Sequence, residues 1–130
     1  MPITYQILAD KRLVVCRGKG VVTDPEIFGY QREVWTRPEL AGYDELADMR
    51  EAESFAVPHP DRVRELAALA ASMDPPKPSR MAIVAPQDIA FGLGRMFEAN
   101  REMDERSTKS VGVFRTLEEA LAFLGLESLS

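Results

Sequence analysis

The 130-residue sequence contains one cysteine and one histidine, and each shortage excludes chemistry. A single thiol, Cys16, closes no internal disulfide, so the fold needs no oxidising compartment. Cys16 lies in the apolar run Leu13-Val14-Val15-Cys16, the setting of a buried structural thiol. One His and one Cys, separated by a helix and a strand, do not make the ligand set of a structural zinc site, so no metal is expected. His59 is accompanied by no nucleophile-elbow pattern, so no His-based triad is expected. Phosphate-cradling loops are missing too. Arg17-Gly18-Lys19-Gly20 extends a strand instead of leading into a helix, and Gly92-Leu93-Gly94 lies inside a helical stretch. No cofactor is expected.

No apolar run approaches the roughly 20 residues of a membrane span. The opening Met1-Pro2-Ile3-Thr4 lacks the charged-then-apolar signature of a secretory signal, so the expected location is the cytoplasm. Basic charge is sparse: 16 Lys and Arg against 21 Asp and Glu give a formal net charge of −5. Lys11-Arg12, with Arg17 and Lys19, is the nearest approach to a basic cluster. The balance argues against a general nucleic-acid binder and against an anionic-membrane sensor.

What is present is the alternation of a single α/β domain spanning 1–130. Apolar residues at 45% and charged residues at 28% suit a globular chain, and this length supports one core without staples. Ile3 to Leu8 reads as a strand with Ile3, Tyr5 and Ile7 on one face, and Leu13 to Cys16, continuing towards Val22, as its hairpin partner. Thr23-Asp24-Pro25-Glu26 starts a helix in either of two cap registers. Ile27, Tyr30, Gln31, Val34 and Trp35 follow at helical spacing, and Pro38 stops the run. Phe28 and Trp35 would extend an exposed apolar edge on this helix, favouring a dimer or partner surface. Leu46-Ala47-Asp48-Met49 forms a third strand, followed by a polar loop from Arg50 to Ser54.

Pro58-His59-Pro60-Asp61 opens a second helix with an apolar stripe at Val63, Leu66, Ala67, Ala70 and Met73. Met81 to Ala85 is continuously apolar, as in a strand covered on both faces. A third helix starts at Pro86-Gln87-Asp88 with the stripe Ile89, Leu93, Met96, Phe97 and Asn100; its Gly92 and Gly94 suggest close backbone packing. Val111 to Phe114 is the last strand. Thr116 and Glu119 have capping-box spacing before a final helix, and Gly125 follows it as a C-terminal cap. The order β-β-α-β-α-β-α-β-α predicts one mixed, mostly parallel five-stranded sheet with an antiparallel first strand.

Ligands of such sheets lie beyond the carboxyl ends of the strands, which selects Asp48, Arg50, Ser54, His59 and Asp88 as candidate binding residues. Each has a plainer role beside it. Asp48 bonds the backbone that follows it, His59 is solvated at a helix start, Asp88 serves the start of the third helix, and Arg95 pairs with Glu98 or Glu102. An enzyme using Asp48, Arg50 or Asp88 needs a paired arrangement that is not visible, so no catalytic residue is expected.

Several strings together carry a family likeness: Ile3-Thr4-Tyr5, Gly20-Val21-Val22-Thr23-Asp24, Leu46-Ala47-Asp48-Met49-Arg50, Ala82-Ile83-Val84-Ala85-Pro86, Ala90-Phe91-Gly92-Leu93-Gly94-Arg95-Met96-Phe97-Glu98, and Val113-Phe114-Arg115 before Leu117-Glu118-Glu119-Ala120. Over nearly its whole length the chain resembles the SpoIIAA-like group of STAS-type domains, relatives of bacterial anti-sigma factor antagonists. The resemblance implies a cytoplasmic bacterial domain of the STAS/SEC14-like superfamily, a group usually without known enzymatic activity. Regulatory members are switched by phosphorylation of a Ser or Thr opening the second helix. Here that place holds Pro58-His59-Pro60-Asp61, with Ser54 the nearest hydroxyl. The expected role is a non-catalytic regulatory module that binds a protein partner or itself, as a homodimer, through 50–60 and the adjoining helix. The alternative is a carrier of a small apolar molecule or lipid, with a cavity beneath the Phe91–Phe97 helix.

Overall fold

Alternating apolar positions and well-formed caps give five strands and four helices. The computed structural model describes residues 3–56 and 59–130. Strand β1 (Ile3–Leu8) and strand β2 (Leu13–Thr23) form an antiparallel hairpin turned by the 3-10 segment Ala9–Lys11. Helix α1 (Asp24–Val34) leads through a 3-10 turn at Pro38–Leu40 into β3 (Asp44–Ala56). Then come α2 (Pro60–Met73), β4 (Ser79–Val84), α3 (Asp88–Glu102), β5 (Lys109–Phe114) and α4 (Leu117–Phe123). The five strands form one sheet in sequential order, with β2 to β5 parallel. The predicted sheet, with its leading antiparallel strand, is the one observed.

Sequential parallel strands joined by crossovers of one hand must carry their helices on one face. Val34, Val63, Ala67, Ala70, Ala90 and Phe97 of α1, α2 and α3 accordingly pack against Val14, Ala47, Ile83, Val111 and Val113 of the sheet. The opposite face is covered by α4 and the segment that follows it, where Ala120, Leu121 and Leu124 meet Leu13, Val15, Leu46, Ala82 and Val84. β4 is therefore apolar on both sides, which explains its unbroken run.

The caps settle the open registers. Thr23 is the N-cap of α1: its backbone N–H and its hydroxyl both donate to the Glu26 carboxylate, at 3.2 and 2.6 Å. The Thr116 hydroxyl accepts from the Glu119 N–H at 3.2 Å, and Gly125, at φ 74°, ends α4 in the left-handed conformation. His59 caps α2 by accepting the Asp61 N–H on Nδ1 at 3.1 Å, while Pro58 lies outside the described residues.

Three expectations are corrected. Residues 50–54 are not a loop: β3 runs on to Ala56, paired in parallel with Lys19–Thr23. Glu51, Glu53 and Ser54 face solvent, while Ala52 is buried and Phe55 half-buried, so a two-stranded ribbon accommodates the charges that suggested a loop. Irregularities between Arg17 and Lys19 and at Gly20, whose φ is 69°, bend β2 into this extension. Second, Phe28 is no exposed edge. It is buried, with the Arg62 guanidinium 4.2 Å from its ring centroid. Third, only Gly94 marks close packing. A Cβ there would lie 3.0 Å from Val113 Cγ1, whereas at Gly92 nothing lies within 4 Å.

Candidate functional site: an apolar cavity beside a buried charge network

The predicted binding residues do not converge. Asp48 and Arg50 do meet, on the α4 side of β3. The Arg50 guanidinium donates through Nε (2.9 Å) and Nη2 (2.8 Å) to the two oxygens of Asp48, and the Arg50 N–H adds a third bond at 3.1 Å. Burial opposes ionisation of Asp48, but these hydrogen bonds outweigh it and hold the carboxyl below its ordinary range. Both oxygens are occupied by the same residue, so the plainer reading of Asp48 describes it best. Ser54 is exposed on the ribbon opposite Val21. His59 faces Asp61 at 3.4 Å, and Asp88, which makes no cap bond, pairs with Arg115 at 2.7 Å. Arg95 pairs with Glu98 at 3.4 Å. Among the described residues no ion pair or hydrogen bond joins Ser54, His59 or Asp88 to Asp48.

The sheet's other face holds a cavity of about 130 Å³ between β1–β4 and the three helices. Its walls are apolar: Ile3, Ile27, Met49, Phe55, Leu66 and Leu93 stand at half-buried positions, with Cys16, Ala47, Val63, Ala90 and Phe97 deeper. Small residues create the space. Ala47 on the sheet and Ala90 on α3 both line it and contribute little side-chain volume. The cavity beneath the Phe91–Phe97 segment is thus present, although the sequence signalled neither Met49 nor Phe55 as part of it. Phe55 was hidden in the presumed coil after Ser54.

Cys16 lines this space as a buried thiol. Burial first, and then the nearby Glu45 carboxylate, push its pKa far above the ordinary thiol range, so it carries no thiolate nucleophile near neutral pH. The end of the cavity at Tyr30 and Glu45 is closed by bonds within the protein. Tyr30 donates its hydroxyl hydrogen to Glu45 Oε2 at 2.8 Å, and Trp35 Nε1–H donates to Tyr30 at 3.2 Å.

Behind that end is a cluster of buried charges. Lys109 Nζ lies 3.5 Å from Glu45 Oε1 and 3.5 Å from the Trp35 ring centroid. Arg101, 2% exposed, donates to both oxygens of Asp74 at 3.2 and 2.9 Å, while the Thr108 N–H binds Asp74 Oδ2 at 2.8 Å. Burial depresses the Lys109 pKa, partly offset by Glu45 and Asp74. Nε and Nη1 of Arg101 have no hydrogen-bond partner among the described residues, and Arg101 lines a space of about 10 Å³, the room one water needs. Sequence reasoning passed over this cluster. One signal was available: Arg101 shares the buried stripe of Ala90, Gly94 and Phe97. Such a network ties α2, α3, β3 and β5 together at the end of the sheet away from the predicted site.

Metal-ligand geometry is not found: among the described residues no group of three or more His, Cys, Asp or Glu is placed to hold an ion. No described helix is long and apolar enough to cross a membrane.

No family model matches the chain, and no curated protein does. Among solved structures, it is similar to an uncharacterised protein of the DUF3478 family with a SpoIIAA-like fold, from Shewanella loihica PV-4. The likeness has a TM-score of 0.58 at 16% identity and covers 94% of this chain and 93% of that one. Together with the five-stranded sheet and its leading antiparallel strand, that likeness shows that this chain has the SpoIIAA-like α/β fold.

Proposed function

We propose that the chain is a non-catalytic binding domain that takes up one small apolar molecule in the cavity between the sheet and α1–α3. The observation that carries this reading is an apolar space of about 130 Å³ whose polar lining is limited to Tyr30, Gln31 and Glu45, the Tyr30–Glu45 pair being already hydrogen-bonded within the protein. A polar ligand entering there would leave its own groups unpaired, at about 1–3 kcal/mol for each. A hydrocarbon or aromatic ring loses nothing comparable. Apolar cavities of this order hold molecules the size of benzene. The half-buried rim of Ile3, Ile27, Phe55 and Leu66 gives such a molecule a way in at the carboxyl ends of β2 and β3. Three features support the non-catalytic part of the reading: the thiol is neutral, the histidine caps a helix, and Asp48 is paired with its neighbour Arg50.

A regulatory surface at 50–60 has less support, because residues 50–56 are committed to the β2–β3 ribbon. Benzene titration followed by methyl NMR tests the cavity reading. Saturable shifts are expected at Ile27, Leu66 and Leu93, and Ala90→Leu, which fills the space, abolishes them. Native mass spectrometry of freshly purified protein reports any resident molecule. Unchanged methyl spectra up to millimolar benzene, with no co-purifying mass, would falsify the reading.

A further inference from the structure

Helix α3 buries Ala90, Gly94, Phe97 and Arg101 and turns a second, unpartnered apolar face outward. Ile89 (73% exposed), Met96 (36%) and Met103 (74%) are three of the four exposed large hydrophobics among the described residues, and they are spaced seven residues apart. Gly92 and Ala99 lie between them and are also exposed. Residues 89, 92, 96, 99 and 103 therefore repeat at alternating intervals of three and four, the spacing of a coiled-coil seam. At about 100° per residue this seam sits opposite the buried stripe. A helix needs only one apolar face to join its own core; the second has no use in the isolated chain.

We propose that this face is a homodimer interface, in which two copies of α3 pack antiparallel about a two-fold axis. The occupant follows from the order of sizes and charges along the helix. Antiparallel pairing sets Met96 against Ala99 of the second copy and Met103 against Gly92, so each long side chain meets a small one. At Gly92 open space lies where a Cβ would be, leaving room for the incoming methionine. The same register sets Arg95 beside Glu102 of the second copy, twice by symmetry. Both are exposed, and the 3.4 Å contact between Arg95 and Glu98 holds the guanidinium on that flank. Parallel pairing instead sets Met96 on Met96 and Gly92 on Gly92, and gives Arg95 no acidic partner. The surface is complementary to itself in one orientation only.

This proposal does not depend on the cavity. A seam along a 15-residue helix, about 22 Å long, falls in the small class of interfaces, so micromolar association is expected. Sedimentation equilibrium of the full chain from about 1 µM to about 1 mM should show monomer and dimer. Met96→Glu places a charge in the seam and should raise the dissociation constant at least about a hundredfold, with circular dichroism and melting temperature unchanged. Arg95→Glu should weaken association about tenfold, and Arg95→Glu/Glu102→Arg should restore it. A chain that stays monomeric throughout, or a dimer indifferent to Met96→Glu, overturns the interface. Failure of the double charge swap to improve on Arg95→Glu overturns the antiparallel orientation.

Discussion

Removing the Lys109 charge tests how the buried network is held. Lys109 and Glu45 are 7% and 5% exposed at the side chain and 3.5 Å apart. At an effective dielectric constant of about 20, that separation corresponds to about 5 kcal/mol of attraction. Most of it offsets the cost of taking two charges out of water. Lys109→Met keeps the aliphatic stem against Trp35 but leaves the Glu45 carboxylate buried with Tyr30 as its hydrogen-bond donor. The expected loss is about 3–5 kcal/mol, read by urea denaturation. Glu45→Gln/Lys109→Met removes both charges and keeps an acceptor for the Tyr30 hydroxyl, so it should recover all but about 1 kcal/mol. The double variant separates this cause from lost packing, because it shares the packing of Lys109→Met without the stranded charge. A single variant within about 1 kcal/mol of the parent would show that Glu45 is solvated and the network structurally idle.

Three further outcomes follow from individual groups. Asp48 and Asp104 have pKa values below the ordinary 3.8, Asp104 at about 2 through the Arg106 guanidinium and N–H. The unfolded chain then binds more protons than the folded one. Stability present above pH 3.8 is therefore lost as pH falls towards about 2, and an acid melt of Asp48→Asn should start from a lower plateau and slope less. Cys16 should resist a thiol-labelling reagent at pH 8 in the native state and react at once in urea; rapid native labelling would contradict its burial. Arg101→Leu should cost about 3–5 kcal/mol in thermal denaturation by stranding Asp74 below the surface, and Asp74→Asn in the same chain should recover part of that loss.

Legibility from the sequence followed the reach of each signal. The parallel sheet was readable because Val14, Leu46 and Val84 sit in apolar runs, and because caps at Thr23 and Thr116 act over three residues. Asp48 was also readable, since its partner Arg50 is two residues away. What failed was set by pairing across the chain. Residues 51–56 become strand only because Lys19–Thr23 lie alongside them, and their local composition reads as coil. Glu45 and Lys109 are 64 residues apart, so neither announces that the other will neutralise it. The cavity was the hardest to place. It consists of missing volume at Ala47 and Ala90, and an alanine looks the same in sequence whether or not its neighbour fills the space it leaves.

The two glycines of α3 put that distinction to a direct test. Gly92 and Gly94 share one helix and one intrinsic penalty of about 1 kcal/mol against alanine, yet their surroundings differ. At Gly94 a methyl group would press on Val113 Cγ1 at 3.0 Å and Cγ2 at 3.4 Å and approach Ile83 Cγ2 at 3.6 Å. Val113 is buried and β-branched, with little rotamer freedom to yield, so overpacking of about 1–3 kcal/mol outweighs the propensity gain. At Gly92 the methyl group meets nothing within 4 Å, and the gain of about 1 kcal/mol stands alone. Gly92→Ala should thus stabilise the chain and Gly94→Ala destabilise it, in urea melts at a protein concentration low enough to keep it monomeric. Equal and favourable effects at both sites would mean that α3 stands farther from β5 than 3.0 Å contacts allow, and the packing that bounds the cavity would have to be redrawn.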